Sequence, residues 1–506
     1  MSDKPHAPDT FSQDLKGPSE WDAIPWLEVK IKVERLQMRI AKATREGKHR
    51  KAASLQWILT HSYYAKLLAV KRVTTNKGKN TAGVDNVIWK TSAQKMAAVE
   101  SLNRHGYKPL PLRRHYIPKK NGKKRPLGIP TMRDRAMQAL YAMALKPIAE
   151  TLADPNSYGF RDARSCHDAI QQIFIALANL YSAQWILEGD IKSCFDEISH
   201  EWLLENIPLD KKILKTWLKA GYLEKGQRFP TTEGTPQGGI ISPLLANMTL
   251  DGLEKAIRDA MPSRSKVNVV RFADDFVATG SLKELLENRA KPAVKSFLDP
   301  RGLKLSDEKT LITNIDDGFD FLGFNVRKYK GKLLIKPSKK ATKTFLEKVR
   351  ETINSMRGAK PEALIANLNP IIRGWVNYHK HVVAKKTFNY VDWQIDHMLW
   401  RWAKRRHPKK SSRWIKQKYF PTYEYIGTTF VARVEIVKGK YENFALTKAS
   451  WMPIQRHIKV RQEANPFDPK YKDYFKKRQR QHSVLAWKLM KLDRETAFSY
   501  ANRIAA

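Results

Sequence analysis

Residues 269–280 read VVRFADDFVATG, with two adjacent aspartates at the centre of an otherwise largely apolar stretch. Apolar residues flank Asp274 and Asp275 on both sides, which predicts two buried strands joined at the acidic pair. Adjacent carboxylates are costly to hold among apolar neighbours unless a cation compensates their charge. A solvated Asp-Asp turn is the simpler interpretation of these two residues alone, and a cation-binding turn is the functional one.

A second acidic position lies at the end of another apolar strand. Residues 185–191 read WILEGDI and predict a strand that carries Asp190 near its end. Phosphoryl transfer uses two or three carboxylates around hard divalent ions, because the metals activate an attacking hydroxyl and stabilise the leaving group. Asp190, Asp274 and Asp275 are therefore candidate catalytic and metal-binding residues.

The segments around these strands mix helices with hairpins. Helical periodicity runs over residues 27–73 with a break at Gly47, and residues 113–129 alternate as a hairpin around Asn121-Gly122. Further along the chain helices dominate, and one apolar stripe recurs at helical spacing: Phe388, Val391, Ile395, Leu399 and Trp402. The mixture predicts an α+β fold.

Composition narrows the class of protein. Among the 506 residues, 93 are Lys or Arg and 50 are Asp or Glu, which gives a formal net charge of +43. A globular chain with this charge is expected to bind a polyanion, with nucleic acid the first candidate and an acidic membrane surface the second. Cys166 and Cys194 are the only cysteines, which excludes a disulfide scaffold, a four-cysteine zinc site and an iron–sulfur cluster. No apolar run is long enough to predict a membrane span.

Five motifs, in this order, resemble those of the reverse transcriptases encoded by bacterial group II introns. They are IPKKNGKKRPLGIPTMRDRAMQ (117–138), SYGFRDARSCHDAI (157–170), GDIKSCFDEISH (189–200), GTPQGGIISPLLANMTLDGLE (234–254) and RFADDF (271–276). The resemblance covers about residues 50–340, and GWVNYHKH (374–381) extends it more loosely. A series of matches in the family's order makes the solvated-turn interpretation of Asp274 and Asp275 improbable.

The resemblance implies a right-hand polymerase in four parts. Residues 1–25 are expected to form a flexible leader, and residues 26–340 the fingers and palm, with an antiparallel sheet and an N-terminal helical extension. Residues 341–406 are expected to form an all-α thumb, which is the family's maturase domain X. Residues 407–506 are expected to form a small basic region that binds DNA.

The resemblance also assigns roles at the catalytic centre. Asp190 and Asp274 resemble the ligands of two Mg²⁺ ions, and Asp275 is the third acidic residue of the site. Phe195 resembles the aromatic residue under the incoming sugar, where a ring collides with a 2′-hydroxyl and favours deoxynucleotides. The remaining residues expected to bind the incoming dNTP are Lys119, Arg125, Gln237, Gly238 and Lys309.

Two acid-free basic stretches, one in the expected fingers and one after the expected thumb, are candidate RNA-binding surfaces. The residues assigned to them are Arg113, Arg114, Lys120, Arg401, Lys404, Arg405, Arg406 and Lys409. Aromatic residues lie among the second group and are expected either to stack on bases or to pack in the thumb core, the core being favoured for Trp402. His379 and His381 are two residues apart, do not converge on a helix, and are expected at the surface.

The function that the resemblance implies is RNA-directed DNA synthesis combined with maturase activity on the intron RNA. The expected partners are group II intron RNA, target DNA, an RNA template-primer and dNTPs, with no membrane, in the bacterial cytoplasm near the nucleoid. Mobility would use target-primed reverse transcription. No Cys follows Cys194, so no zinc-supported HNH endonuclease is expected.

Two alternatives remain open from the sequence. One is an RNA-binding splicing factor with an inactive polymerase, which the presence of all three acidic residues and Phe195 disfavours. The other is a domesticated reverse transcriptase that serves phage defence.

Overall fold

The computed structural model describes residues 20–118, 122, 124–423, 427–437 and 440–480. Lys119, predicted to bind the incoming dNTP, and Lys120, predicted to bind RNA, lie outside the described residues. Within the described ranges, none of the helices combines the length and the apolar character needed to cross a membrane.

The described part of the chain begins with a helical layer that packs on the rest of the molecule. Its helices are α1 (Glu20–Ala23), α2 (Trp26–Arg45), α3 (His49–His61), α4 (Tyr63–Thr75) and α5 (Ser92–Ser101). The predicted break at Gly47 is confirmed, because this residue adopts a φ of +68° between α2 and α3. Trp21 and Ile24 are buried in the same core, so the expectation of a flexible leader is wrong for residues 20–25.

The next segment forms a hairpin, two long helices and the first strand of a second sheet. The elements are β1 (Leu112–Pro118), β2 (Lys124–Ile129), α6 (Met132–Leu152), α7 (Cys166–Leu177), β3 (Trp185–Lys192), α8 (Cys194–Glu197), α9 (His200–Asn206), α10 (Lys211–Leu218), β4 (Tyr222–Glu224) and β5 (Gln227–Phe229). β1 and β2 pair antiparallel from Arg113–Ile129 to Pro118–Lys124, which confirms the predicted hairpin. Together with β4 and β5 they form a four-stranded sheet in the order β2-β1-β4-β5.

A five-stranded antiparallel sheet forms the centre of the molecule. The elements that complete it and cover it are α11 (Ser242–Leu250), α12 (Leu253–Ala260), β6 (Val269–Phe272), β7 (Asp275–Gly280), α13 (Lys283–Leu285), a π-helix (Leu286–Ala290), α14 (Lys291–Leu298), β8 (Lys304–Leu305) and β9 (Leu311–Asn314). The sheet order is β6-β7-β3-β8, with β9 also paired to β3. A three-stranded sheet of β10 (Phe319–Phe321), β11 (Phe324–Tyr329) and β12 (Lys332–Pro337) follows it. The predicted α+β class with an antiparallel palm sheet is confirmed.

Three long helices follow the sheets. They are α15 (Lys339–Ser355), α16 (Pro361–His379) and α17 (Lys385–Arg406). All five residues of the predicted apolar stripe on α17 are buried in the core of this bundle, together with Phe420 and Phe430 from the region that follows. The remaining elements are α18 (Ser412–Tyr419), β13 (Thr422–Tyr423), β14 (Gly427–Thr428), β15 (Val431–Val437) and β16 (Lys440–Ala445).

The described part of the C-terminal region packs onto the rest of the molecule. Phe420 and Phe430 join the core of the helical bundle, whereas Val460 and Tyr471 join the core beneath the central sheet. The boundary predicted at residue 406 therefore divides a shared core. The described residues between 407 and 480 belong to these two cores, because their apolar side chains are buried there.

Candidate active site

Strand pairing brings the three predicted catalytic carboxylates to one end of the central sheet. β3 and β7 pair antiparallel, and in that register Asp190 lies directly opposite Asp275. Asp274 occupies the turn between β6 and β7, next to Ala273, whose φ of +58° lets the chain reverse. The hairpin predicted around Asp274 and Asp275 is thus present, and β3 adds Asp190 to this acidic pair.

A neighbouring segment supports this turn from behind. The backbone N–H of Tyr158 donates to the carbonyl of Arg271 at 2.9 Å, so the segment runs alongside β6. Gly159 is in such close contact with the turn that a Cβ at this position would collide with the backbone of Phe272 and Ala273. Only glycine permits this approach, which fixes the backbone immediately before Asp274.

The carboxylates open onto a cleft of about 1060 Å³. Seven of the residues predicted to bind metal or dNTP line it: Arg125, Asp190, Phe195, Gln237, Gly238, Asp274 and Lys309. Asp275 lies outside the wall of the cleft although it pairs with Asp190. The structure therefore gathers residues from the fingers hairpin and the central sheet around one volume.

The electrostatics of the site reflect crowded negative charge. Burial, followed by the charge of Asp190, raises the pKa of Asp274 above its usual range, and the positive charge of Arg125 works against this shift. The pKa of Asp275 rises to about 6, because of burial and then the charges of Asp274 and Asp190. The three carboxylates therefore repel one another, and a cation placed between them would relieve that repulsion.

Lys309 provides part of this compensation. Its Nζ donates a hydrogen bond to Oδ2 of Asp190 at 2.7 Å, and this contact raises the pKa of Lys309. The loop that carries Lys309 is fixed to the same strand, because the N–H of Ser306 donates to the carbonyl of Asp190 at 2.8 Å. Lys309 is thus positioned at the carboxylate of Asp190 as well as in the cleft where it is predicted to bind the dNTP.

The donor set fits a hard divalent ion, since carboxylate oxygens are the preferred ligands of Mg²⁺. Across the described ranges, however, no group of three His, Cys, Asp or Glu side chains is drawn closely enough together to hold a metal ion. The hydrogen bond from Lys309 occupies one oxygen of Asp190. The carboxylates thus have the right chemistry and share one end of the sheet, with Lys309 as the cation beside them.

Phe195 lies in the cleft as the resemblance suggests, and a second aromatic ring accompanies it. Phe160 packs edge-on against Phe195, with ring centroids 6.2 Å apart and ring planes at 83°. Phe160 has a φ of +55° and a side chain that is largely exposed in the cleft, a costly combination for a bulky residue. Phe160 was not among the predicted site residues, because no pattern of residue types reveals a left-handed backbone at this position.

Gln237 and Gly238 connect the cleft to the fingers hairpin. Gln237 donates from Nε2 to Oδ2 of Asp196 at 2.9 Å, and its carbonyl accepts the N–H of Gly128 at 2.8 Å. Gly238 has a φ of +126°, and a Cβ there would collide with the carbonyl of Gly128. The glycine permits a close approach between this loop and β2. Asp196 is a further acidic residue of the cleft that the sequence analysis did not single out.

The predicted RNA-binding residues fall into two separate groups. Arg113 is exposed on β1, and the guanidinium of Arg114 lies 3.7 Å from the ring centre of Tyr222. The second group is exposed on and just after α17 and consists of Arg401, Lys404, Arg405, Arg406 and Lys409.

The aromatic residues expected to stack on bases near this second group are instead mostly structural. Trp402, Tyr419 and Phe420 are buried in the core of the helical bundle, which confirms the core interpretation favoured for Trp402. The exposed rings of α17 are Tyr390 and Trp393, which the sequence analysis did not assign. They occupy the helix face opposite the buried stripe. Helical spacing in the sequence could therefore have predicted that both rings are exposed.

The prediction of surface positions for His379 and His381 is wrong. His379 is only 2% exposed and packs against Phe324 and Trp375, with ring centroids 4.9 and 4.7 Å apart. His381 is half-buried, and its Nδ1 lies 2.9 Å from the carbonyl oxygen of Gln455 in the C-terminal segment. Burial lowers the pKa of both histidines to about 4, so both rings are neutral at pH 7.

Sequence models of three protein families match consecutive parts of this chain. The N-terminal domain of reverse transcriptase matches residues 21–102, reverse transcriptase (RNA-dependent DNA polymerase) matches residues 117–326, and the group II intron maturase-specific domain matches residues 342–420. The central match contains every residue of the acidic site.

Two bacterial relatives show the same relationship. Protein YkfC of Escherichia coli K12 is 36% identical over 305 residues, which cover 51% of this chain and 79% of that protein. The group II intron-encoded protein LtrA of Lactococcus lactis subsp. cremoris is 34% identical over 330 residues, which cover 51% of this chain and only 54% of LtrA. Among solved structures, a telomerase from Candida albicans with a fragment of telomeric RNA aligns over 61% of this chain and 64% of its own, at 13% identity and a TM-score of 0.37.

Proposed function

The chain belongs to the reverse transcriptases that carry a group II intron maturase domain, and we propose that its acidic cleft is where it copies RNA into DNA. The observation that carries this proposal is the register of β3 and β7, which sets Asp190 opposite Asp275 and beside Asp274. The same cleft contains Phe195, Arg125 and Lys309. A carboxylate centre, an aromatic ring and basic side chains are together what a dNTP-consuming polymerase requires.

The residues of the cleft divide the work of the reaction. Asp190 and Asp274 would hold two Mg²⁺ ions, and these ions would supply activation of the primer 3′-hydroxyl and neutralisation of charge on the leaving pyrophosphate. Asp275 adds negative charge behind them. Arg125 is suited to bidentate contact with the triphosphate. Lys309 serves as a point charge, which leaves the carboxylate of Asp190 and binds a phosphate group instead.

Phe195 and the neighbouring Phe160 select the sugar. A ring under the ribose leaves no room for a 2′-hydroxyl, so deoxynucleotides are preferred. Phe160 packs edge-on against Phe195 and restricts its movement. Gln237 and Gly238 position the loop that faces the nascent base pair.

The maturase function is proposed on the helical bundle and on the fingers. The maturase-specific match covers α15 to α18, and the exposed basic residues Arg401, Lys404, Arg405, Arg406 and Lys409 lie within it. With Arg113, Arg114 and Lys120 they would contact the intron RNA and promote its splicing. Intron mobility by target-primed reverse transcription, contact with target DNA by residues 407–506, and a cytoplasmic, nucleoid-associated location belong to the same proposal.

Primer extension by the purified chain tests the polymerase. The assay uses an RNA template with an annealed DNA primer, dNTPs and Mg²⁺, and we expect full-length DNA. In the control reaction, EDTA removes the divalent ion by chelation. If dNTPs are not incorporated with Mg²⁺ present while the chain still binds intron RNA, the splicing-factor alternative is correct and the polymerase proposal is wrong.

A further inference from the structure

A groove runs between α15 and α17 on the outer side of the helical bundle, and it carries a concentration of arginine. Its C-terminal half is a cavity of about 500 Å³. Five arginines line this half: Arg350, Arg357, Arg401, Arg405 and Arg406. The cavity has no Asp or Glu in its lining, and in the described part of the chain none of the five forms an ion pair. We call the whole groove, from Lys339 at the start of α15 to Arg357 just after its end, the thumb groove.

The thumb groove continues beyond the arginines. Arg350 also lines a second cavity of about 700 Å³, which lies between the first turns of α15 and α17 and includes Lys343, Lys386 and Tyr390. A rise of 1.5 Å per residue makes α15, which forms one wall of the groove, about 25 Å long. One acidic side chain, Glu347, lines the second cavity. The groove therefore presents a long, mostly basic track with its strongest positive charge at one end.

An aromatic face borders the same track. Tyr390 and Trp393 are 49% and 54% exposed, and their rings lie at 27° to each other with centroids 6.5 Å apart. The ring of Trp393 also contacts that of His397, with centroids 4.1 Å apart and ring planes tilted by 50°. At about 100° per residue, these three rings and Arg401 project from one side of α17. Exposed ring faces beside cations offer stacking surfaces to bases whose phosphates the cations bind.

We propose that the thumb groove binds an unpaired segment of RNA, with its phosphates against the arginines and its bases on Tyr390, Trp393 and His397. The bases of a duplex are stacked on one another and present only their edges, so exposed ring faces select unpaired bases. The five arginines match the planar, bidentate geometry of phosphate recognition. This inference rests on the proposed RNA-binding function and adds Arg350, Arg357, Tyr390 and Trp393 to it.

Fluorescence anisotropy with a labelled RNA oligonucleotide tests the groove. The probe is measured single-stranded and as a fully paired duplex, in EDTA and without dNTPs, so that no synthesis takes place. We expect R350Q/R357Q to weaken single-strand binding about tenfold and to lower the salt slope by roughly 1.4, since each phosphate contact contributes about 0.7. The matched control R264Q/R289Q removes two exposed palm arginines and should leave both quantities unchanged.

Trp393→Ala tests the stacking face. We expect about tenfold weaker binding of the single strand and a change of less than about twofold for the duplex. Trp57→Ala is a close control, because Trp57 is 60% exposed and its ring lies 4.1 Å from that of His61, the same centroid distance as between Trp393 and His397. All the changed side chains are exposed, and melting curves verify that each variant is folded.

Equal weakening of single-strand and duplex binding, or equal effects of the control variants, would overturn the inference. Unchanged RNA binding by R350Q/R357Q and by Trp393→Ala would overturn it as well. The proposed polymerase is judged separately by primer extension with the wild-type chain, so the two failures are distinguishable.

Discussion

The three acidic residues of the cleft differ in their surroundings, and so we expect them to differ in their importance. Asp274 lines the cleft. Asp275 faces Asp190 across the pair of strands β3 and β7 and lies outside the wall of the cleft. Asp274→Asn keeps the shape of the side chain but removes half of its ligand capacity. We expect primer extension to fall by more than about a hundredfold, because loss of a ligand exceeds the effect of losing a supporting contact.

The measurement for Asp274→Asn pairs primer extension with RNA filter binding. RNA affinity should stay within about twofold of the wild type, because the predicted RNA contacts lie elsewhere. Asp317→Asn, at an exposed position between β9 and β10, is the matched control and should retain synthesis. Persistent extension by Asp274→Asn would show that the metal assignment is wrong.

Sugar selection is the second property that belongs to a single side chain. Phe195→Ala removes the ring under the incoming sugar, and so we expect ribonucleotide incorporation relative to deoxynucleotide incorporation to rise by at least about tenfold. The ratio of kcat/KM for a matched rNTP and dNTP measures this selectivity. Phe229→Ala, which removes a partly exposed ring on β5, should leave the ratio unchanged. An unaltered ratio in Phe195→Ala would refute the role of the ring.

The individual residues of the site were predictable to different degrees. Asp190, Asp274 and Phe195 follow apolar strands in motifs that the sequence shows directly. Phe160 was missed because its exposure in the cleft depends on a left-handed backbone, which no pattern of residue types reveals. The pairing of Asp190 with Asp275 also depends on strand register, which sequence alternation alone does not specify.

Among the helices and strands, the periodicity of apolar residues predicted an element correctly wherever one face of that element is buried. The fingers hairpin and the apolar stripe of α17 were both predicted, because alternation and helical spacing record which side chains face a core. His379 and His381 were misplaced because β11 and the C-terminal segment cover them. When a residue is buried by segments that are distant in the sequence, the neighbouring residues show no pattern that predicts its burial.

The buried histidines give this region a dependence on pH. His379 has a pKa of about 4 in the folded chain and about 6.5 when unfolded, so the unfolded state binds the proton more readily between these values. Stability is therefore full above pH 6.5 and is lost as the pH falls towards 4, by up to about 3 kcal/mol for this residue. Melting temperatures between pH 7.5 and 4.5 measure the effect.

His379→Gln should flatten this pH dependence, because a neutral amide cannot take up the proton. His105→Gln, at an exposed position in the fingers, should preserve the wild-type pH profile. A His379→Gln profile as steep as that of the wild type would mean that other groups cause the loss of stability.

At the scale of the whole molecule, the predicted division into fingers-palm, thumb and tail is only part of the organisation. Asp168 on α7 accepts hydrogen bonds from His457 Nε2 and Arg478, each at 2.9 Å, and from the N–H of Val460 at 2.7 Å. Arg164 donates to the carbonyl of Gln462 at 2.8 Å. The palm is thus joined to a segment about 300 residues away, and no sequence pattern links two such distant stretches.

Asp168 is the centre of this junction, and its charge is held there by its partners. Burial opposes ionisation, but the hydrogen bond from His457 and the charge of Arg478 outweigh it and keep the pKa of Asp168 well below its usual range. Its contribution to stability is therefore complete above the ordinary aspartate pKa of about 3.9 and is lost as the pH falls below it.

Asp168→Ala should release the C-terminal segment from the palm, because it leaves His457 and Arg478 without their shared acceptor. Breaking a buried ion pair in this way costs about 3–5 kcal/mol. Hydrogen exchange at residues 456–478 should accelerate by at least about tenfold, while exchange in the core of α6 stays slow. The side chain of Asp473 in the same segment is 88% exposed, so amide hydrogen exchange in the Asp473→Asn variant should match that of the wild type. If residues 456–478 stay protected in Asp168→Ala, apolar contacts such as those of Val460 and Tyr471 hold the segment, and the buried charge does not.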